Sequence, residues 1–310
     1  MDDLLEDLRK SFADSYRVDH ELKGGGMSRL FMATDLALSR KVVIKILPPE
    51  LTSDMMAARF KREAEVTAHL QHPNILPIIT AGLKNGLLYY IMPFIPGESL
   101  RERLKREQKL PVDQGVTILC EVASALAYAH KQGVIHRDIK PENILLLDGH
   151  AVLADFGIAA ALAGPDHVTG ERLTRTGMSI GTVGYMAPEQ SLGGTDVDSR
   201  ADIYSLGVVA YEMFAGTAPF VGASTQAILA AHLTQAPKHL DRLRDDLPLP
   251  VCVAIEKALP SRVKDLHVRN CSVVANGQQE NANFQMPADS RPKCRGPFRR
   301  NHERTELARR

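Results

Sequence analysis

The stretch His136-Arg137-Asp138-Ile139-Lys140-Pro141-Glu142-Asn143 is followed, twelve residues after Asn143, by Asp155-Phe156-Gly157. Asp138 offers a carboxylate that can orient an attacking hydroxyl. Lys140, two residues on, can set an ammonium against a phosphate. Asn143 and Asp155 supply oxygen ligands of the kind a hard cation such as Mg²⁺ prefers. Together these are the parts that phosphoryl transfer needs: a group to position the nucleophile, and cations to offset the charge that develops.

The chain around this stretch divides by texture. Leu4, Leu5, Leu8 and Phe12 recur at helical spacing and predict an amphipathic helical extension over 1–15. Strands are predicted at Tyr16–Leu22, Leu30–Thr34, Lys41–Leu47, Ile75–Ala81 and Leu87–Met92, with a helix over about Ser53–Leu70 between the third and fourth. Pro93-Phe94-Ile95-Pro96-Gly97 reads as a connector. Helices follow at Ser99–Glu107, Val112–Gln132, Ser199–Ala215 and Ser224–Leu233. A β-rich part (16–95) and a helix-rich part (96–260) predict an α+β fold of two lobes with a cleft between them.

Composition narrows the partners. The net charge of +1 gives no reason to expect nucleic acid or a membrane surface. The apolar run Ile203–Ala215 is too short to span a bilayer and is broken by Glu212. The acidic start lacks the basic opening of a secretory signal. Four widely spaced cysteines without a C-x-x-C pair predict a reducing, cytoplasmic setting. Residues 261–310 carry 11 Lys/Arg against 5 Asp/Glu, whereas the remainder is slightly acidic. This tail also loses periodicity, and its composition predicts disorder.

In order and spacing, the quoted motifs resemble those of the serine/threonine protein kinases of the bacterial, eukaryotic-like type, from Tyr16 to Ala258. The resemblance implies a bilobal fold with a small β-rich N-lobe and a larger helical C-lobe, ATP and Mg²⁺ as cofactors, and Ser/Thr hydroxyls of proteins as acceptors. It gives Asp138 and Lys140 the catalytic roles. Lys45, closing Val42-Val43-Ile44-Lys45, would reach the α- and β-phosphates, with Glu63 as its partner and Glu65 as fallback. Asn143 and Asp155 would hold Mg²⁺. Lys140 favours Ser/Thr over Tyr acceptors. Leu22, Gly24, Gly25, Gly26 and Leu30 would cover the nucleotide, although Gly25 alone of the family's three spaced glycines is retained. Met92 falls at the gatekeeper position behind the adenine, with the Pro93 carbonyl and Ile95 amide on the adenine edge. Asp202 would anchor the catalytic loop.

The segment from Asp155-Phe156-Gly157 to Ala187-Pro188-Glu189 resembles an activation loop. Thr174 and Thr176 are its candidate phosphosites, Arg137 the phosphate's partner, and Thr182 a structural residue. Self-association for trans-autophosphorylation is implied. The resemblance stops after Ile255-Glu256-Lys257-Ala258-Leu259, where relatives continue with an arginine that pairs with the glutamate of the Ala-Pro-Glu motif. The C-terminal helices are therefore expected to be incomplete, from a frame shift or truncation, leaving Glu189 unpaired and helical faces uncovered. The alternatives are a catalytically weak nucleotide-binding or scaffolding protein and, third, a small-molecule kinase of related fold.

Overall fold

The computed structural model describes residues 2–22, 28–49, 53–156, 183–191 and 197–259. The glycine run Gly24–Gly26, the loop containing Thr174, Thr176 and Thr182, and the tail 261–310 lie outside the described residues.

Among the described residues, five strands form one antiparallel sheet: β1 (Tyr16–Leu22), β2 (Arg29–Asp35), β3 (Arg40–Ile46), β4 (Thr80–Lys84) and β5 (Leu87–Pro93), in the order β1-β2-β3-β5-β4. Successive side chains on a strand point to opposite faces, and here each face has its own cover. Val42, Ile44, Ile46 and Ile91 join Leu8 and Phe12 of helix α1 (Asp2–Phe12). Val43, Leu88, Tyr90 and Met92 join Phe60 of helix α2 (Asp54–Ala68) on the other face. The same parity sends Lys45 to the α2 side, towards the cleft. Ser53 caps α2 by accepting a hydrogen bond from the Met56 amide.

The expected strand Ile75–Ala81 is corrected to Thr80–Lys84. Pro77 has no N–H for a ladder, and Ile75 makes instead an isolated parallel bridge to Leu153. The register is set from the other end. Asn85 and Gly86, with φ of 50° and 75°, form the two-residue turn that joins β4 to β5.

Beyond the connector, β6 (Glu98–Ser99), β7 (Ile144–Leu147) and β8 (His150–Leu153) make a small sheet beside helices α3 (Leu100–Glu107) and α4 (Val112–Lys131). Ser99 and Glu102 form a reciprocal capping box at the start of α3. A short helix α5 (Pro188–Ser191) precedes α6 (Arg200–Ala215), α7 (Thr225–Thr234) and α8 (Leu249–Ala258). Helix α6 is predominantly apolar and is enclosed along nearly its whole length, Asp202 included, as a core helix must be. Its predicted loss of cover is therefore not observed. Gly207 allows the closest approach: a Cβ there would lie 2.8 Å from that of Ala258 on α8. On α8 itself, Leu249 and Val253 are exposed.

Candidate active site

The catalytic stretch runs from the end of α4 to β7, and its shape is imposed from below by α6. Asp202, fully buried, accepts hydrogen bonds from the backbone amides of His136 and Arg137, each at 2.8 Å, and from His130 Nε2 at 2.7 Å. A buried carboxylate needs such donors to offset its lost hydration. Two adjacent amides can converge on one carboxylate here because Arg137 adopts a φ of 67°, an uncommon conformation for a residue with a Cβ. His136 is pinned from both sides, its Nε2 on the Ala154 carbonyl at 2.8 Å and its Nδ1 accepting from the Asp138 amide at 3.2 Å. The proton therefore sits on Nε2.

Asp138 stands on this platform, half-buried. Lys140 Nζ lies 2.7 Å from its Oδ2, and the Asn143 amide nitrogen donates to both its carbonyl (2.8 Å) and its Oδ2 (3.1 Å). Both side-chain donors use the same carboxylate oxygen, which leaves Oδ1 for an incoming hydroxyl. With Nδ2 engaged, the Asn143 amide oxygen is the atom left for a cation.

Asp155 faces this loop, again with a φ of 67°. Lys45 Nζ lies 2.5 Å from its Oδ2, and the Tyr90 hydroxyl donates to Oδ1. Burial opposes ionisation of Asp155, but the Lys45 ammonium and the two hydrogen bonds outweigh it and hold the carboxyl below its ordinary range. Burial and the adjacent Asp155 charge push the Tyr90 phenol well up, so it remains a donor. An ionised carboxylate and an amide oxygen are a set suited to Mg²⁺, which takes one or two protein oxygens together with phosphates and water.

The expected pair of Lys45 with Glu63 is not formed. Among the described residues no ion pair joins Glu63 to Lys45, and Glu65 meets only Lys61, at 3.9 Å. Lys45 takes instead the Asp155 carboxylate, which is 17% exposed, so that the attraction is less screened than in bulk water. At the connector, Met92 is buried on the cleft face. Phe94 N donates to Lys41 O, so the Val42–Pro93 pair between them is a non-hydrogen-bonded one. Proline costs no ladder bond there, and its carbonyl stays available.

A second polar group lies behind the loop. Arg101 on α3 reaches Glu142 (2.8 Å), Glu212 on α6 (2.8 Å) and the Tyr185 hydroxyl, which also donates to Glu212. Arg137 Nε and Glu189 Oε2 are buried without a hydrogen-bond partner among the described residues. Burial raises the Glu189 carboxyl above its ordinary value, helped by the charge of Asp198.

The family described as protein kinase domain matches residues 16–273. This chain belongs to the protein kinase family. The kinase is 38% identical over 253 residues to serine/threonine-protein kinase PknB of Mycolicibacterium smegmatis, covering 80% of this chain and 40% of that protein. It is 42% identical over 230 residues to PknJ of Mycobacterium tuberculosis, covering 72% and 38%. It is 35% identical over 253 residues to PrkC of Bacillus subtilis, covering 81% and 38%. The chain thus spans less than half the length of these relatives. Among solved structures, the kinase domain of Mycobacterium tuberculosis PknI superposes with a TM-score of 0.65 at 29% identity, covering 86% of this chain and 96% of that one.

Within this kinase domain, Asp138, Lys140 and Asn143 form one group, and Lys45 and Asp155 another. Glu63 stands apart from both. Leu22 and Leu30 are opposite each other on β1 and β2 and flank the glycine run. Tyr90 was missed by the motif reading, although its place two residues before Met92 on β5 puts it on the cleft face. Arg101, Tyr185 and Glu212 carry no motif signal as a set, because three separate elements bring them together.

Proposed function

We propose that this chain is an ATP- and Mg²⁺-dependent protein kinase that phosphorylates serine and threonine hydroxyls. The observation that carries this is the Asp138 carboxylate with one oxygen saturated by Lys140 and Asn143 and the other open, on a loop locked to Asp202. Asp138 Oδ1 orients the acceptor hydroxyl and receives its proton as the oxygen bonds to the γ-phosphorus; the bond from that phosphorus to the β–γ bridging oxygen breaks, and ADP leaves with the electron pair. Lys140 and Lys45 are the cations for the phosphates; Lys45 turns from Asp155 to reach them. Asp155 and Asn143 would hold Mg²⁺, which supplies charge neutralisation on the phosphates when bound. The Pro93 carbonyl and the Ile95 amide are the adenine contacts, and the connector 93–97 separates the lobes 16–95 and 96–260.

The same reading takes Thr174 and Thr176 as autophosphorylation sites, modified between two copies of the chain. Arg137 Nε, buried and unpartnered, supports a role as the phosphate's partner. No helix among the described residues is long and apolar enough to cross a membrane. The cytoplasmic placement rests on the four widely spaced cysteines, which form no C-x-x-C pair. The test is to incubate the full chain with labelled Mg²⁺-ATP and a generic basic protein beside Asp138→Asn. Label well above that variant, on serine and threonine, is expected; equal label in both would overturn the proposal.

A further inference from the structure

Both oxygens of the Asp155 carboxylate are taken by protein donors, and the two donors differ in kind. Oδ2 faces the Lys45 ammonium, at the end of a flexible four-carbon stem. Oδ1 faces the Tyr90 hydroxyl, carried on a ring that is 1% exposed and packed among Val43, Phe60, Leu88 and Met92. Lys45 and Tyr90 are direct partners across the β3–β5 ladder, so one pair of adjacent strands delivers both donors to one carboxylate. The ammonium can leave Asp155 by rotating its stem. The phenol cannot, because the core around its ring fixes both of its side-chain torsions.

From this asymmetry we infer that Tyr90 is a positioning residue of the metal site: its hydroxyl holds Asp155 through Oδ1 when Lys45 departs for the nucleotide, and the vacated Oδ2 becomes the metal-binding oxygen. The inference rests on the kinase reading above and adds a residue to it. Without the phenol, Asp155 would lose its fixed anchor at the moment Lys45 releases it. The carboxylate would then be free to rotate, at a residue whose backbone is already held at a φ of 67°. Partners that orient a metal-binding carboxylate typically contribute about 10–100-fold to metal affinity.

The test uses the full chain, Mn²⁺ as a spectroscopically visible ion in place of Mg²⁺, and a non-hydrolysable ATP analogue. Tyr90→Phe keeps the ring and removes the donor. Titrated by electron paramagnetic resonance, its Mn²⁺ affinity in the nucleotide complex should fall about 10–100-fold. Adenosine, which has no phosphates and needs no metal, should bind wild type and variant alike, reporting an intact cleft. In phosphotransfer assays the Mg²⁺ concentration for half-maximal rate should rise by a similar factor, with little change in KM for ATP at saturating Mg²⁺. Unchanged or tighter Mn²⁺ binding by Tyr90→Phe would overturn the inference and leave the kinase reading standing. A loss of adenosine binding in proportion would overturn it in favour of a packing role. If the wild-type chain itself takes up no Mn²⁺ with the nucleotide, the kinase reading fails and takes the inference with it.

Discussion

His232, on α7, is 2% exposed, and its ring is joined through Nδ1 to the Tyr204 hydroxyl, at 2.8 Å. Nε2 has no hydrogen-bond partner; the nearby Gly184 backbone pulls towards the charged form but stops short of a bond. Burial therefore prevails and lowers the imidazole from 6.5 to about 4. An unfolded chain takes up a proton at this residue below about pH 6.5, whereas the folded chain resists until about pH 4. Stability contributed by the neutral ring is present above pH 6.5 and is lost as the pH falls through that window. At about 1.4 kcal/mol per pH unit the full loss approaches roughly 3 kcal/mol, a large share of a typical domain stability of about 5–15 kcal/mol. The assay is urea unfolding of the full chain at a series of pH values from 7 down to about 5, where carboxylates contribute least. His232→Asn, which keeps an acceptor for Tyr204 and cannot charge, should be less stable at pH 7 but should lose less stability on acidification. Parallel curves for the two proteins over this range would refute the argument, since they would mean that His232 titrates alike in both states.

Arg101→Met should lower stability by about 3 kcal/mol in urea unfolding, because Glu212, 13% exposed, would keep its charge without its partner. Gly207→Ala should cost about 1–3 kcal/mol, read as a lower thermal midpoint, since its Cβ would press on Ala258 and Leu259 and push α8 off α6. Glu189 has a raised carboxyl, so the folded chain holds that proton longer and loses stability as the pH rises past the ordinary carboxylate range. Glu189→Gln is exempt, and its urea midpoint relative to wild type should climb from pH 4 to pH 7; a constant difference would refute this.

The candidate site was legible because its residues lie within short, ordered motifs. Asp138, Lys140 and Asn143 sit on one loop, and their spacing alone brings them together. Most of the framework could be read for the same reason: strand alternation and helical spacing are local signals, and the helices expected from Ser53 and Ser99 do begin there, each capped by that serine. Failures occurred where the outcome depended on competition between distant groups. Lys45 pairs with Asp155, 110 residues on, and not with Glu63, and no local spacing encodes that choice. The start of β4 differs from the expected strand because the hydrophobic run Ile75–Ile79 contains Pro77, while Asn85-Gly86 sets the hairpin register from the other end. Tyr90 belongs to a subtler class. Its facing was available from the alternation with Met92, but nothing local said that a carboxylate 65 residues away would meet it.

The seat of Asp202 on α6 has a consequence for how damage to this protein would be felt. The catalytic loop does not hold its own shape; two of its amides are suspended from one carboxylate on the most enclosed helix of the fold. A substitution that rotates or shifts α6 by a fraction of an ångström moves the point from which Asp138 hangs, while the core around it can remain closed. Variants remote from the cleft, at the α6–α8 crossing for instance, would then lower a rate by more than their loss of stability accounts for. In this fold the interior of the C-lobe is the jig in which the Asp138 loop is clamped, and alignment is the first quantity it can lose.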